Sequence, residues 1–522
     1  MAKSHGLSRR EFLRTASMLA AGGVLMACAP TAVAPAAVGP TATPAPFVKG
    51  DIRIVPSGVP LPTDPVTFRW LDSGDTKAVF WKQFFAKYQE AYPNITVQYD
   101  GLPWNEIGKI VPLGIQNGNL HDVFSIPQGI TSAQAYAEGW LMPYDDVLPD
   151  LAQIKAGYPA GSFVEGINVF DGKTYCLPHS TSKRTSTMLL YNQDYLQEAG
   201  YDPSETVMTW DDYRAAARKV TENGKGQYYG VIIGGNQLNR WGAVVRDLAS
   251  FAGVPNVGNT LDDMNLFTGE YNFTTPEYIA AMELLLAIRD DGSFFPGYLS
   301  INAPQARAQI AQGAAGMILQ GLWCLPQWKA ENPEFNWNTS HTPLANLNSV
   351  MPLHVSIAVT NEMWLYAGTK LAEVAADIMH YWVSLEGQYA WNKVAGVSDP
   401  GYLVEALETA STDPRELRAL ETQNGMYRVG PSPLIRNLDV AMVNQELRAI
   451  TPNFNEVIQG LMAGQITDVK AQFQDLQDRA NAELDRAIKA AREKGANVSR
   501  DDYVFSNWDP MQDYTEADYA AA

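Results

Sequence analysis

Apolar and polar residues alternate along residues 66–70, and this period of two is typical of a β-strand. Over residues 76–92 the apolar side chains instead recur every three or four positions, which is the spacing of an amphipathic helix. Pro93 and Asn94 end the predicted helix, and residues 95–99 return to the strand pattern. A strand, a helix and a second strand joined by short loops form a βαβ unit, so the pattern predicts a largely parallel sheet.

Predicted strands and helices keep alternating over most of the remaining chain, which indicates the α/β class. After residue 28 no apolar run reaches the roughly 20 residues that a membrane-spanning helix needs. Residues 469–493 are predicted to form a long charged helix, and residues 507–522 to form an acidic, solvated end that partly docks. Further helices are predicted over residues 104–115, 210–223 and 276–289, and further strands over residues 121–126, 187–191, 230–233 and 317–319.

The N-terminus has the three parts of an export signal: a basic region, an apolar stretch and a boundary of small residues. The basic region contains an Arg-Arg pair that resembles the twin-arginine export motif. Residues 25–28, Leu-Met-Ala-Cys, resemble the bacterial lipobox, in which a diacylglycerol is attached to the cysteine. We therefore predict a signal peptide over residues 1–27, lipidation of Cys28, and a tether rich in Pro, Ala and Thr over residues 28–62.

Composition and charge narrow the classes of partner. The chain has 522 residues, of which 46% are hydrophobic and 18% charged, and this balance excludes a disordered or fibrous protein. A formal net charge of −19 argues against a nucleic-acid partner, whose phosphates attract basic proteins. Besides Cys28 the chain has Cys176 and Cys324, and the sequence leaves open whether these two form a disulfide.

No motif in the sequence indicates catalytic or metal chemistry. The histidines lack the spacing of a metal site, and neither a GxSxG elbow nor a phosphate-binding loop occurs. Pairs of adjacent aspartates recur, but neighbours in sequence usually point apart, whereas a glycosidase needs two carboxylates that face each other across a sugar. We therefore predict a protein that is not an enzyme and that uses no cofactor and no metal.

Aromatic residues are the remaining candidates for ligand contact. The chain has 13 Trp and 24 Tyr, whose flat rings suit ring-shaped ligands rich in hydroxyl groups. Most of these rings are predicted to pack in the core. Trp104, Trp241 and Trp323 lie where predicted strands pass into loops, and open α/β sheets bind ligands at that edge. For Trp104 a structural role at the start of its helix is favoured.

Short motifs occur in a specific order between residues 66 and 400, although each is weak alone. They lie at residues 92–97, 118–123, 137–145, 172–178, 191–194, 199–200, 209–213 and 313–323. Together they resemble the solute-binding proteins of ABC importers, in particular the sugar-binding family that includes maltodextrin-binding protein. The chain departs from this family at His121, where proline is common, at Cys176 and Cys324, where small residues are usual, and by extra length after Pro400.

The resemblance implies a two-lobed α/β fold in which each lobe is a mainly parallel sheet flanked by helices. A hinge between the lobes would let them close on a ligand. Lobe 1 would comprise residues 63–176 plus 340–397, and lobe 2 residues 177–339 plus 398–505, with residues 506–522 as an acidic tail. The chain would cross between the lobes near residues 175–178, 336–343 and 396–400.

The resemblance also implies which side chains meet the ligand. The expected ligand-binding residues are Asp75 and Gln128 from the first lobe and Arg184, Asn236, Trp241 and Trp323 from the second. The two tryptophans would stack on pyranose faces, and the others would hydrogen-bond hydroxyl groups. Two alternatives stay open, because Arg184 could equally form a surface ion pair and Asp75 could equally cap the helix that begins at Thr76.

The predicted function is binding of a sugar or oligosaccharide in the cleft and its delivery to the permease subunits of an ABC importer. The protein would be a monomer outside the cytoplasm, held at the membrane by the lipid on Cys28. Alternatives are a binder of a glycerol phosphodiester or polyamine, a binding protein that serves a chemoreceptor, and an exported polysaccharide-degrading enzyme. A phosphate ligand would require clustered Arg and Lys in the cleft, and an enzyme would require a carboxylate pair about 5 to 10 Å apart.

Overall fold

The computed structural model describes the chain over residues 48–74, 76–158, 162–181, 183–258, 263–355, 359–360 and 363–521. The predicted signal peptide and the lipidated Cys28 lie outside the described residues, as does Asp75. From Val48 onward the chain forms one unit.

The strands and helices follow the alternation that the sequence predicts. The strands are β1 (Val66–Asp72), β2 (Ile95–Gly101), β3 (Val123–Phe124), β4 (Val169–Phe170), β5 (Lys173–Thr174), β6 (Ser180–Thr181), β7 (Met188–Asn192), β8 (Tyr229–Val231), β9 (Met264–Asn265), β10 (Glu270–Tyr271), β11 (Ala315–Gln320), β12 (Trp337–Ser340), β13 (Leu353–Val355), β14 (Val359–Thr360), β15 (Trp364–Leu365) and β16 (Tyr427–Val429). The helices are α1 (Thr76–Ala91), α2 (Trp104–Asn117), α3 (Ser132–Ala137), α4 (Leu151–Ala156), α5 (Gln193–Glu198), α6 (Trp210–Gly224), α7 (Asn239–Ala252), α8 (Pro276–Asp290), α9 (Ala303–Ala311), α10 (Cys324–Glu331), α11 (Ala372–Val383), α12 (Leu385–Ala395), α13 (Pro414–Gly425), α14 (Pro433–Arg436), α15 (Val440–Glu446), α16 (Phe454–Met462), α17 (Val469–Glu493) and α18 (Glu516–Ala520). Short 3-10 turns occur at Tyr144–Asp146, Gly396–Ser398, Val404–Thr409 and Arg500–Tyr503.

The first lobe is organised around a four-stranded sheet of order β15-β3-β1-β2. β1 pairs in parallel with β2, from Val66 opposite Ile95 to Asp72 opposite Gly101, and in parallel with β3 on its other side. β15 returns from late in the sequence and pairs antiparallel to β3. Because α1 links β1 to β2, the predicted βαβ unit is confirmed.

The second lobe is organised around a sheet of order β12-β7-β11-β8, and this sheet is mixed. β7 runs antiparallel to both β11 and β12, whereas β8 runs parallel to β11. The prediction of a mainly parallel sheet is therefore wrong for this lobe. Two helices, α5 and α6, link β7 to β8, so the chain reverses once more than it does in a βαβ unit.

The chain passes between the two sheets more than once, as the resemblance implies. It leaves the first sheet after β3, enters the second at β7, and returns to the first at β15. β13 pairs with β16, and Leu353 and Val355 lie in the same buried cluster as Met188 of the second sheet. The return crossing therefore comes after Val355, later than the predicted 336–343, because β13 gains a partner strand in the second lobe.

Both ends of the described chain pack on the globule. Ile52 is buried among first-lobe side chains, the Arg53 guanidinium pairs with Glu386 at 3.0 Å, and the Ser57 hydroxyl donates to Asp377 at 2.6 Å. The prediction of a tether over residues 28–62 is thus wrong for residues 48–62. It rested on composition, and composition does not show that individual side chains in this segment pack on the first lobe. At the other end, Trp508 and Tyr514 are buried against the second half of α17, so the tail docks.

The two cysteines that follow Cys28 do not form a disulfide with each other. Cys176 belongs to a buried cluster of the first lobe, and Cys324 belongs to a buried cluster of the second. Over the part of the chain that the structure describes, no helix combines the length and the apolar character needed to cross a membrane. The same residues contain no group of His, Cys, Asp and Glu arranged to hold a metal ion.

Candidate functional site

In the first lobe, the carboxyl end of β1 carries a buried carboxylate. One oxygen of Asp72 accepts from the Gly74 N–H at 2.7 Å and from the Tyr99 hydroxyl at 2.8 Å, and the other accepts from Trp70 Nε1 at 3.2 Å. Burial raises the pKa of Asp72, and the positive charge of Lys77 acts in the opposite direction. Asp72 therefore fixes the loop after β1, and its own oxygens are engaged inside the lobe.

The loop after β1 comes close to the loop after β2 because both carry glycine. Gly74 has a φ of +69°, and a Cβ on it would stand 3.3 Å from the Gly101 carbonyl carbon. Beside this contact, the buried Lys77 places its ammonium 5.8 Å from the centre of the Trp104 ring. A cation and an aromatic face thus lie together at the strand ends of the first lobe.

Of the two ligand residues predicted in this lobe, only Gln128 is among the described residues. Its side chain is exposed, and it lies four residues after the end of β3. Its amide can donate and accept, as binding a sugar hydroxyl requires. Sequence reasoning missed His179 in the same lobe. His179 is buried with its ring stacked on Trp382 at 3.7 Å between centroids, and burial, reinforced by the Lys77 charge, holds its pKa well below the ordinary value.

In the second lobe, Trp323 lies just beyond the carboxyl end of β11. Its ring is half-buried, and Nε1 donates to the Gln320 side chain at 3.0 Å. A Cβ on Gly321 would stand 2.3 Å from the ring, so only glycine lets the indole lie back over the backbone there. The ring is therefore held in one orientation by the local sequence, with part of its surface open.

Arg184 and Trp323, two of the predicted ligand residues, lie side by side. The Arg184 guanidinium carbon is 5.4 Å from the centre of the Trp323 ring. The same guanidinium contacts the buried Asp399 carboxylate at 3.3 Å and the Ser398 carbonyl oxygen at 3.4 Å. Arg184 therefore forms an ion pair, as the alternative expected, but the pair is largely buried rather than at the surface, and it also positions the cation against the indole.

Trp241 does not take the predicted role of stacking on a ligand. Its side chain is 0% exposed, Nε1 donates to the Gly235 carbonyl at 3.0 Å, and the ring meets Tyr298 edge to face at 5.9 Å. The prediction failed because Trp241 lies on the inner face of α7, toward the lobe core. Asn236, on the preceding loop, is exposed, and its backbone N–H donates to the Ile301 carbonyl at 3.0 Å.

A buried arginine near this edge joins the end of one strand to the segment that precedes another. Arg240 donates to the carbonyl oxygens of Leu319, at 3.1 Å, and of Ser186. Burial lowers its pKa to about 10, so the guanidinium stays charged at neutral pH. Arg240 thereby joins the end of β11 to the segment that leads into β7, next to Trp323 and Arg184.

Comparison with known proteins identifies the family. The model of the bacterial extracellular solute-binding protein family matches residues 83–414, which is more than half of the chain. The chain belongs to this family. Members of the family bind substrates outside the cytoplasm and are not enzymes, and the sequence resemblance to ABC-importer proteins is confirmed.

Individual relatives support the same assignment. The sn-glycerol-3-phosphate-binding periplasmic protein UgpB of Agrobacterium fabrum is 21% identical over 387 residues, covering 70% of this chain and 79% of that protein. The GacH receptor of Streptomyces glaucescens, solved with and without acarbose, has a TM-score of 0.59 at 15% identity, covering 80% and 98% of the two chains. A solute-binding protein of Thermotoga lettingae bound to α-D-tagatose also scores 0.59, at 16% identity and 80% and 99% coverage. The two-lobed α/β fold is thereby confirmed, and the protein is a solute-binding protein of an ABC importer.

Proposed function

We propose that this protein binds a sugar or oligosaccharide between its two lobes and delivers it to the permease of an ABC importer. The observation that carries the proposal is the half-buried Trp323 ring at the end of β11, held by Gln320 and flanked by the Arg184 guanidinium. An indole face suits the apolar face of a pyranose, and the amides of Gln128 and Asn236 suit its hydroxyl groups. The sugar ligands named for the two structural neighbours support the same ligand class.

A glycerol phosphoester is the second candidate, and two observations favour it. The curated relative at 21% identity is named for sn-glycerol-3-phosphate. The strand ends also carry a cation in each lobe, Lys77 in the first and Arg184 in the second, and phosphate is bound by such cations. Against this candidate, Arg184 already pairs with Asp399, so part of its charge is neutralised inside the lobe.

A thermal-shift panel separates the two candidates. The full chain is heated with maltose, maltotriose, raffinose, sn-glycerol-3-phosphate, glycerophosphocholine or spermidine, each at several concentrations. A ligand present at 100 times its Kd adds about 2.7 kcal/mol to the free energy of unfolding, which is a clear shift in Tm. We expect a shift with at least one saccharide. Shifts with phosphoesters or the amine alone would reject the sugar proposal, and hydrolysis of maltose, maltotriose or raffinose in the same samples would favour an enzyme.

We also propose that a lipid on Cys28 holds the protein at the outer face of the membrane after export through a twin-arginine signal. The sequence Leu-Met-Ala-Cys at residues 25–28 supports this proposal. Fractionation of cells that produce the wild type and Cys28→Ser tests it. We expect the wild type in the membrane fraction and the variant in the soluble extracytoplasmic fraction, whereas equal distribution of the two would contradict the lipid anchor.

A further inference from the structure

Residues 433–447, which hold α14 and α15, lie between the two lobes and are not used by the proposed ligand site. On one side this segment is fixed to α17. Val440 and Val443 share a buried cluster with Leu484 of α17. The first half of α17, including Phe473, belongs to the core of the second lobe. The segment is therefore anchored to the second lobe through a long helix.

Polar contacts reinforce this anchor. The Asn437 side-chain amide donates to the Asn497 carbonyl oxygen at 2.9 Å and to the Asp502 carboxylate at 3.0 Å. In return, the Asn497 N–H donates to the Asp439 carboxylate at 2.6 Å. At the end of α15, Glu446 forms an ion pair with Lys494, and the Glu446 carbonyl accepts from Arg486. Both helices of the segment are thus held on the side of the second lobe.

The opposite side of the same segment contacts the first lobe. Ala441 packs both against the α17 cluster and against the cluster that contains Ala133 of α3 and Phe124 of β3. Gln134 Nε2 of α3 donates to the Asn444 carbonyl oxygen at 3.0 Å. A second contact lies nearby, where Leu434 approaches Gly166 so closely that a Cβ there would stand 3.0 Å from its side chain.

These contacts form while the candidate ligand residues of both lobes, Gln128 and Asn236, are exposed. We propose that residues 433–447 are a strap that ties the two lobes together in the free protein and limits how far they separate. The apparent affinity for a ligand falls with the fraction of molecules that are not in the binding-competent state. A free protein that stays close to that state therefore keeps more of its affinity. The proposal rests on the proposed function only in that the lobes close on a ligand.

The contact on the first lobe is small enough to be reversible. It comprises apolar contacts of Ala441 and Leu434, in which Ile167 of the first lobe takes part, and one hydrogen bond, whereas the anchor on the second lobe combines a buried cluster with several polar bonds. The strap is therefore expected to detach from the first lobe before it detaches from α17.

Pulsed electron paramagnetic resonance on the ligand-free protein tests the proposal. Nitroxide labels are attached to the full chain through Lys82→Cys on α1 and Lys219→Cys on α6, both exposed, in a Cys28→Ser background. The strap variants are Gln134→Ala and Ala441→Glu, which remove the hydrogen bond and place a charge in the apolar contact. Matched controls are Gln465→Ala and Ala463→Glu, at exposed positions of the second lobe.

We expect the distance between the labels to lengthen by about 3 Å or more in Ala441→Glu, by less in Gln134→Ala, and to stay unchanged in both controls. An unchanged distance in both strap variants overturns the proposal, and so does a shorter distance, which would mean that the segment holds the lobes apart. Because no ligand is added, a negative result in the ligand panel leaves this outcome unaffected.

Hydrogen exchange keeps the proposal falsifiable if Ala441→Glu fails to fold. Gln134 Oε1 also accepts from the Thr131 N–H at 2.8 Å and so caps α3, which means that Gln134→Ala speeds exchange in α3 with or without a strap. The test is therefore α15, whose amides should exchange faster in full-chain Gln134→Ala, while amides of β7 and β11 should keep the wild-type rate. Faster exchange in the second-lobe sheet would indicate general destabilisation and overturn the proposal, as would unchanged exchange in α15.

Discussion

The two lobes solve the same packing problem with different side chains. The core of the first lobe is centred on closely packed, mutually tilted rings, with Trp81 4.3 Å from Trp70 and 5.0 Å from Trp382 between centroids. In the second lobe, aliphatic residues such as Leu248 and Val245 dominate, and aromatic rings are spread among them. Large rings fill the first lobe with few residues, whereas the second lobe uses many smaller ones.

The difference between the two lobes shows that the position and burial of a tryptophan, rather than its presence, bear on ligand binding. In the first lobe Trp70, Trp81 and Trp382 pack against one another in the core, whereas Trp104 is half-buried beside Lys77 at the strand ends. In the second lobe Trp241 is likewise buried, but Trp323 is left at the end of a strand with part of its ring open and a cation beside it. Tryptophan content alone therefore does not mark a ligand site, and within the second lobe the half-buried, strand-end Trp323 is a better candidate than the buried Trp241.

The largest expected effect breaks the aromatic core. Trp382 contacts Trp81, Trp391 and the stacked His179, so Trp382→Ala should lower the free energy of unfolding by about 3–5 kcal/mol. Leu248→Ala in the second lobe is the matched truncation and should cost less. Denaturant titration followed by circular dichroism compares the two. A greater loss in Leu248→Ala would show that the rings of the first lobe do not dominate its stability.

The second prediction separates packing from ligand contact. Trp323→Ala should weaken binding of whichever ligand shifts the melt by at least about tenfold, which is 1.4 kcal/mol, while the Tm changes little. Its control is Trp241→Phe, which keeps a buried ring but loses the hydrogen bond to Gly235, and which should lower the Tm and leave the affinity unchanged. Isothermal titration calorimetry measures both. Equal affinities of Trp323→Ala and the wild type would remove Trp323 from the site.

A third prediction uses the buried histidine of the first lobe. Burial holds the pKa of His179 well below its usual 6.5, so the folded protein keeps it neutral while the unfolded chain takes up a proton below that pH. The stability contribution of His179 is therefore complete above pH 6.5 and is lost as the pH falls toward the folded pKa, by about 1.4 kcal/mol per pH unit. His179→Phe should be relatively more stable at about pH 5 than at pH 7.

Other histidines set the background of that measurement. The pKa values of His121, His341 and His354 are also lowered by burial, so the wild type should lose stability on acidification through several groups at once. Tm is recorded for wild type and His179→Phe between about pH 5 and pH 8. Parallel curves for the two proteins would show that His179 titrates normally in the folded state.

Regular elements with a strong period were predictable from sequence. The predicted helix over residues 469–493 coincides with α17, and the predicted helix over residues 104–115 extends only two residues further, to a glycine C-cap at Gly118. The strand predicted over residues 121–126 shrinks to β3, because periodicity does not say how many residues find a partner strand. Strand direction in the second sheet depends on the number of helices that link two strands. Hydrophobic periodicity alone does not predict that direction.

The site was predictable only in part, for physical reasons that differ between residues. Trp323 follows a buried strand and a glycine, and both signals are local. The partner of Arg184 is Asp399, more than 200 residues away in sequence, and no local pattern announces such a pair. Lys77 and His179 were missed because their burial results from packing between distant segments. The prediction that Trp241 contacts a ligand was wrong because its position shortly after a strand does not show which face of the following helix the side chain lies on.

The smallest expected effect sharpens the comparison of the two ligand classes. Arg184→Lys keeps the positive charge near Asp399 but loses the planar guanidinium beside Trp323. If the ligand is a neutral sugar, the change removes only a stacking contribution on the order of 0.5–1 kcal/mol, and affinity should fall about two- to fivefold. If the ligand is a phosphoester, replacing the bidentate guanidinium by a lysine ammonium should cost more binding free energy. Titration of the best saccharide and of sn-glycerol-3-phosphate into both proteins distinguishes the two ligand classes. A larger loss of affinity for the phosphoester would place the phosphate on Arg184. Equal affinities of variant and wild type for both ligands would leave Arg184 as a partner of Asp399 alone.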